Sequence, residues 1–369
     1  MSGDLVKVMY YRELRNLINR VKIIGLNSSG VLFGGVVRDD IIGTHYRKLF
    51  IDKKLDFGKY WDYNYDIETR NRLIIPKDID IFFRGENNTT LFINEVRKLV
   101  MKFNGNVSVT VNSNPNHINY TTNCPFLKHK TLHLFLIVGN SLTQSGIRLH
   151  LNVDIIEIDS NRNGMDNLRY ITEVNRLEPP FFNTDFLSNI FITERSNSMI
   201  ITRMSNCTGT PLDEMVFSNK MQFSAKIITD IINMRTYLVS KIDYFNAEYI
   251  NCYRILKMVD RNFYWNILNI PFKFIDVKDI IEKEINDKCC ICLDEIIVTE
   301  ETKKDFDYLV ELNTNKKKSN YLHSGCFLSY LRKEQKTRYI DETTGKIECR
   351  CPFRNLFNFR DCYKEVEYI

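Results

Sequence analysis

Asp78 and Asp80 stand two residues apart in Pro76-Lys77-Asp78-Ile79-Asp80-Ile81-Phe82-Phe83, where Ile79, Ile81 and Phe82 read as a buried strand. A strand repeats every two residues, so both carboxylates share one face. Upstream, Val31-Leu32-Phe33-Gly34-Gly35-Val36-Val37-Arg38-Asp39 reads as a short apolar strand, a glycine turn and a helix start. Such a turn leaves backbone N–H groups facing a bound anion. Paired carboxylates near a phosphate cradle predict bound Mg2+. Asp154 is the candidate third carboxylate, because Leu149, Leu151, Val153 and Ile155 alternate with His150, Asn152 and Asp154, which turns Asp154 away from the apolar set. Glu157 and Asp159 compete with it, but Glu157 falls on the opposite face and Asp159 near the strand end. Each piece alone also has an ordinary reading: a turn, a chance Asp-x-Asp, a solvent-facing carboxylate. Their order along one chain is what points to chemistry.

A second constellation lies near the C-terminus. Cys289 and Cys292, in Cys289-Cys290-Ile291-Cys292, have the spacing of a metal clip, and His323 and Cys326 repeat it in His323-Ser324-Gly325-Cys326. Two such pairs close a tetrahedral structural Zn2+ site of three thiolates and one imidazole. The competing reading for Cys326 is a buried apolar side chain.

Several elements must position these residues. Leu5, Val8, Met9, Leu14, Leu17, Ile18 and Val21 recur at helical spacing over residues 5 to 21. A strand at 30–33 and a helix at 35–42 follow. Residues 44 to 73 interrupt the two acidic and glycine motifs and mix aromatic with basic side chains, either as a folded insertion with a solvated face or as a strand-binding surface. Next come a helix over 88–103 and strands over 107–111, 131–138 and 148–158. Residues 219 to 262 read as largely helical, and 286 to 369 form the cysteine-rich tail. No internal repeat or low-complexity segment stands out.

At 369 residues and 43.7 kDa the chain is long enough for two or three domains. A hydrophobic share of 44% and a charged share of 26% are those of a globular protein. The net charge of +5 suits a nucleic-acid partner without requiring one. The polar N-terminus lacks the form of a signal peptide and no apolar run is long enough to span a bilayer, so the expectation is an intracellular protein with reduced thiols and no membrane partner.

The first two motifs resemble those of the polymerase-beta-like nucleotidyltransferase superfamily, within it the tRNA nucleotidyltransferase and bacterial poly(A) polymerase family. Gly34-Gly35-Val36-Val37-Arg38-Asp39 looks like that family's first motif, and Lys77-Asp78-Ile79-Asp80-Ile81 like its metal-binding strand. Thr184-Asp185-Phe186-Leu187-Ser188-Asn189 is similar to its nucleotide-contacting motif, with Asn183 and Thr184 where the family has two arginines. Arg254 matches the arginine of its base-selecting neck motif, with Ile250 and Asn251 in place of the acidic pair. The resemblance spans roughly residues 28 to 262. It implies Asp78, Asp80 and Asp154 as catalytic ligands of two Mg2+ ions, and Gly34, Gly35, Arg38, Asp185, Asn189 and Arg254 as nucleotide-binding residues. The tail resembles a RING finger in which Cys289, Cys292, His323 and Cys326 hold the first zinc, while Lys318, Asn320 and Arg354 occupy ligand positions of the second. One Zn2+ is therefore expected, unless Cys349, Cys351 and Cys362 improvise another site.

Together these features predict an α/β (α+β) nucleotidyltransferase domain with a mixed sheet over 1–205, a helical neck subdomain over 206–285 and a small zinc-stabilised RING-like module over 286–369. The resemblance implies template-independent transfer from a nucleoside triphosphate to an RNA or other hydroxyl acceptor. Two other readings are a RING-type ubiquitin ligase or adaptor that engages a ubiquitin-conjugating enzyme, and an inactive nucleotidyltransferase used as a scaffold. The heavy use of Ile, Asn, Lys and Tyr resembles proteins of large AT-rich DNA viruses, which would place the chain in host cytoplasm or a virion.

Overall fold

The computed structural model describes residues 3–53, 76, 78–103, 105–111, 127–140, 143–158, 177–181, 184–207, 220–238, 258, 261, 263, 267–268, 272–276, 287–289, 291–296, 308–312, 320–323, 326–327, 330, 349–350 and 356–357. These divide into two compact units, residues 1–184 with 188–232, and residues 185–187 with 233–369.

The first unit is built on a seven-stranded sheet. Its strands are β1 (Val31–Phe33), β2 (Asp78–Phe83), β3 (Asn106–Val111), β4 (Leu127–Asn140), β5 (Thr143–Ile158), β6 (Phe191–Ser196) and β7 (Met199–Met204), in the order β3-β4-β5-β2-β1-β6-β7. The sheet is mixed: β2 and β5 run parallel, and the other neighbours are antiparallel. Helices α1 (Gly3–Asn27), α2 (Gly35–Lys53), α3 (Glu86–Met101) and α4 (Lys220–Ile232) complete the unit.

Period-two alternation divides the central strands into two faces. Ile79, Ile81, Phe83, Val153 and Ile155 are fully buried on the back, where α1 and α3 pack. From α3, Phe92, Val96 and Val100 point inward at helical spacing, and the Phe92 ring lies 5.2 Å from that of Phe83. The chain leaves α1 at Gly30, whose N–H donates to the Gly25 carbonyl at 2.9 Å. A Cβ on Gly30 would come within 2.6 Å of Ile81 Cδ1, so glycine is what lets the chain hug the sheet there. On the front, Phe33, Phe82, Ile156, Ile158 and Ile192 form a second core beneath Leu127, Leu177 and Phe181. The Phe181 ring meets Phe82 edge-on at 5.0 Å. Residues 177–181 thus cover one end of the front face, next to the row that carries Asp80 and Asp154.

Segment 177–181 is tied down by a buried carboxylate. Glu178, 8% exposed, accepts hydrogen bonds from the Arg203 guanidinium, from Ser205 Oγ at 3.1 Å and from the Asn206 N–H at 2.6 Å. Arg203 also reaches Glu194 at 2.7 Å. Burial on its own would raise the Glu178 pKa, but Arg203, the Asn206 N–H and Ser205 outweigh it and hold the carboxyl below its ordinary range.

The second unit contains small sheets. Strands β10 (Phe272–Asp276), β13 (Tyr308–Leu312) and β14 (Asn320–His323) form an antiparallel sheet, β11 (Asp287–Lys288) pairs with β12 (Glu295–Ile296), and β8 (Thr236–Tyr237) lies parallel to β9 (Ile267–Leu268). A last pair joins β15 (Cys349–Arg350) to β16 (Leu356–Phe357).

Two sequence expectations change at this level. The helix expected over 35–42 continues to Lys53, so the 44–73 insertion begins as an extension of α2; the rest of the insertion lies outside the described residues. The helical subdomain expected over 206–285 contains α4, but α4 belongs to the first unit, and β10 joins β13 and β14 across the expected 285/286 boundary. Phe272 and Phe274 alternate with Lys273, a period-two signal of a strand too short to stand out against the helical spacing upstream.

Candidate functional site

Residue register assembles the front-face site. Strand β2 pairs with β5 so that Asp80 lies opposite Asp154 and Asp78 opposite Asn152. Residues in register on neighbouring strands project from the same face, with backbones about 4.8 Å apart. Asp80 and Asp154 are therefore adjacent across strands, while Asp78 sits one row further along the same face. Strand β1 places Phe33 opposite Asp80 on the other side, and the chain turns at Gly34 immediately beyond.

Gly34 serves this turn in two ways. Its φ of +69° belongs to the left-handed region that costs a side chain strain, and a Cβ there would approach Asp80 Oδ2 to 2.7 Å. The Asp80 carboxylate occupies the space that glycine leaves. Gly35 opens α2, and helix N-termini favour negative charge. Carboxylates from two strands beside a glycine cradle and a helix start are a donor set suited to a divalent cation with a phosphate-bearing ligand. Among the described residues, however, the three carboxylates do not gather as closely as the Cys/His group described below. Glu157 takes no part: on the back face, 1% exposed, it pairs with Lys130 at 2.5 Å. Asp159 lies outside the described residues.

Two neighbours on β4 were not singled out by sequence reasoning. Thr131 Oγ1 donates to Asp154 Oδ1 at 2.6 Å, and His129 Nε2 lies 3.1 Å from the same oxygen. Both follow from the β4–β5 register, which sets Thr131 opposite Asp154 and His129 opposite Ile156. A polar odd-numbered face, His129-Thr131-His133, was visible in the sequence, but only strand pairing shows which carboxylate it meets.

The expected nucleotide-binding residues divide. Arg38 and Asn189 come together, with Arg38 Nη1 donating to Asn189 Oδ1 at 3.0 Å. Arg38 is completely buried and also pairs with Asp39, at 2.8 Å from Nε and 2.7 Å from Nη2. A guanidinium with no exposed surface braces α2 against the turn before β6. Asp185 accepts the Phe186 N–H at 3.0 Å, a local turn. Arg254 lies outside the described residues.

The candidate metal site of the second unit is compact. One ligand atom each from Cys289, Cys292, His323 and Cys326 lies within 4.8 Å of the others. His323 Nδ1 stands 3.4 Å from Cys292 Sγ and 3.9 Å from Cys326 Sγ. Around zinc, with Zn–S near 2.3 Å and Zn–N near 2.0 Å, a tetrahedral N···S edge is about 3.5 Å, so the four atoms outline such a site with Nδ1 as the imidazole donor. The knuckle that sets the first pair is closed by Leu293 N–H to the Cys289 carbonyl at 2.8 Å and Cys289 N–H to the Asp294 carbonyl at 2.9 Å. Strand β14 delivers His323 to it.

Ionisation is uneven around this centre. Burial opposes ionisation of Cys289, yet N–H donors of Cys292, His323 and Ile291 hold its thiol below the ordinary value. Burial, then the charge of Cys289, pushes Cys326 up to about 12. Metal binding therefore has to displace a proton at Cys326, where burial and the neighbouring thiolate oppose ionisation. Of the residues at the second zinc position that the sequence resemblance implies, Asn320 lies in β14 and Cys349 in β15, whereas Lys318, Cys351, Arg354 and Cys362 lie outside the described residues. Among the described residues no helix is long and apolar enough to cross a membrane.

Compared with protein-family models, with curated proteins and with solved structures, the chain matches none.

Proposed function

We propose that the first unit is a nucleotidyltransferase, transferring a nucleotidyl group from a nucleoside triphosphate to a hydroxyl of RNA or another acceptor. The observation that carries this reading is the in-register pair Asp80 and Asp154 on parallel strands, with Gly34 packed against the Asp80 carboxylate. Divalent ions at such carboxylates would neutralise charge developing on the attacking and leaving oxygens. Asp80 and Asp154 hold these ions, and Asp78 supplies a further oxygen from the next row. The N–H groups at Gly34 and Gly35 face the phosphates, where the α2 N-terminus favours negative charge. Thr131 and His129 orient Asp154, and Arg38 with Asn189 steadies α2 from beneath. No nucleophilic side chain is needed, because the acceptor hydroxyl is the nucleophile.

The zinc centre favours a companion role in partner recruitment. Its complete Cys3His set also supports a second reading, in which this unit is a ligase or adaptor and the sheet unit an inactive scaffold. The discriminating experiment incubates purified protein with each labelled nucleoside triphosphate, divalent metal and an RNA pool, with a parallel ubiquitin-transfer assay. Label transfer that Asp80→Ala abolishes is the expected result. Transfer that survives Asp80→Ala, or ubiquitin transfer alone, would move the function away from the carboxylate pair.

A further inference from the structure

Away from the carboxylate row, the front face of the sheet stays open. On β4 and β5, Leu132, Leu134, Leu149 and Leu151 are buried on the back, so the alternate residues point out from the front. Cross-strand register sets these in rows. Thr131 beside Asp154 shares the row of Asp80, and His133 beside Asn152 that of Asp78; Phe135 beside His150 forms the next row, and Ile137 beside Arg148 the last. Phe135 is 41% exposed, and His150 and Arg148 are exposed next to it. Hydrogen bonds pin the His133 ring across the strands, with Nδ1 3.0 Å from Asn152 Oδ1 and Nε2 3.2 Å from Thr110 Oγ1. The His150 ring lies nearly parallel to it, with 15° between planes and 6.5 Å between centroids.

We propose that this face of β3, β4 and β5 binds the acceptor as single-stranded nucleic acid, stacking bases on Phe135 and His150 and leading the strand end to Asp80 and Asp154. The proposal rests on the transferase reading above and names the form of its acceptor and the surface it occupies. A ring exposed on a sheet face takes a base of any sequence, because every base has a π face. Phe135 and Ile137 stand among hydroxyl, amide and imidazole groups, where a protein partner would call for a contiguous apolar patch. Charge points the same way. The outward residues of β4 and β5 over 131–137 and 148–152 include no carboxylate, and Arg148 offers a cation to a phosphate. Phe135 follows Thr131 by four residues, a distance of about 14 Å along the strand. That is the span of about four nucleotides stacked at about 3.4 Å each, and of fewer when the strand is splayed. A base on Phe135 and the reacting end can therefore belong to one short strand.

The test is fluorescence anisotropy of labelled oligonucleotides on the full-length protein, with label transfer measured on the same preparations. The probes are a short oligoadenylate RNA, DNA of the same sequence and a blunt RNA duplex. Phe135→Leu keeps an apolar side chain but removes the ring, Phe135→Trp keeps a ring, and His150→Ala removes the second platform. Met199→Ala, exposed on β7 at the other edge of the sheet, is the control. The expected result is binding of the RNA strand, alone or together with the DNA strand, weakened about tenfold in Phe135→Leu and in His150→Ala, retained in Phe135→Trp and Met199→Ala, and about tenfold weaker for the duplex. Strand binding equal in Phe135→Leu, Phe135→Trp and His150→Ala would overturn the proposal, and nucleotide transfer persisting in those variants would leave the transferase reading in place. Duplex bound as well as single strand, or no strand bound, would also overturn it. Concentration-dependent dimers lost in Phe135→Leu, without strand binding, would overturn it and give the face to a second copy of the chain. Ring-dependent strand binding in protein that transfers no nucleotide would support the strand surface and remove the transfer reaction.

Discussion

Gly34 is the residue where backbone and chemistry constrain each other most tightly. Replacing it by Ala places a side chain at positive φ and drives a Cβ toward Asp80 Oδ2 at 2.7 Å. The backbone strain costs roughly 1–2 kcal/mol. Gly34→Ala should lower stability by about that amount in denaturant unfolding and weaken divalent-metal binding as Asp80 is displaced. Unchanged metal affinity would separate the glycine turn from the carboxylate site. At this scale the sequence was legible where chemistry follows a local period: Asp78 and Asp80 share a face because strands alternate, and Asp154 points away from Val153 and Ile155 for the same reason. It was not legible where a role depends on a distant partner. Arg38 reads as an available cation until burial against Asp39 and Asn189 is known, and His129 acquires its role only from the β4–β5 register.

Among the elements, segment 177–181 shows how an irregular stretch is fixed without a ladder of its own. Its anchor is Glu178 beneath Arg203, Ser205 and Asn206 at the end of β7. Because the folded-state pKa of Glu178 is depressed, the stability it contributes is present above the ordinary carboxylate value and is lost as pH falls through the lower folded value. Thermal unfolding followed from neutral to acid pH should therefore steepen below about pH 4.5. Glu178→Gln should flatten that acid limb, at a cost of roughly 1–3 kcal/mol at neutral pH, since Arg203 keeps Glu194 and partial solvent exposure. An unaltered acid limb would assign the acid sensitivity to other groups. Segment 177–181 carries no periodic signal, and its position depends on contacts with β7 that sequence spacing does not encode. The long regular elements behaved otherwise. Helix α1 and strands β2, β4 and β5 were readable from their apolar periods, because each buries a face; β3 was readable from its period although none of its residues is buried. Strand β10 was missed since five residues with only two alternating aromatics give a weak period, and its partner β13 lies across an expected domain boundary.

Over the whole molecule, the two units depend on different kinds of cohesion. The first has a two-sided sheet core; the second has short strands, of which β14 carries one of four gathered ligand atoms. Small modules with little apolar core draw folding free energy from their metal. Elemental analysis should find one zinc per chain, lost in Cys292→Ser and retained in Cys362→Ser. In Cys292→Ser, amide hydrogen exchange should accelerate through β13 and β14 and extend to Phe272–Asp276, which hydrogen-bond to them. Retention of zinc by Cys292→Ser would dissolve the ligand assignment. The parallel pairing of β2 with β5 has a consequence in time. Strands β4 and β5 are sequence neighbours and can zip together as soon as both exist, whereas β2 must wait for α3, β3 and β4 to be threaded between it and its partner. Closing that long loop carries the larger entropic delay. On a growing chain, Asp78 and Asp80 leave the ribosome well before Asp154 is synthesised, so the carboxylate pair is among the last features to assemble, and no partly made chain owns it.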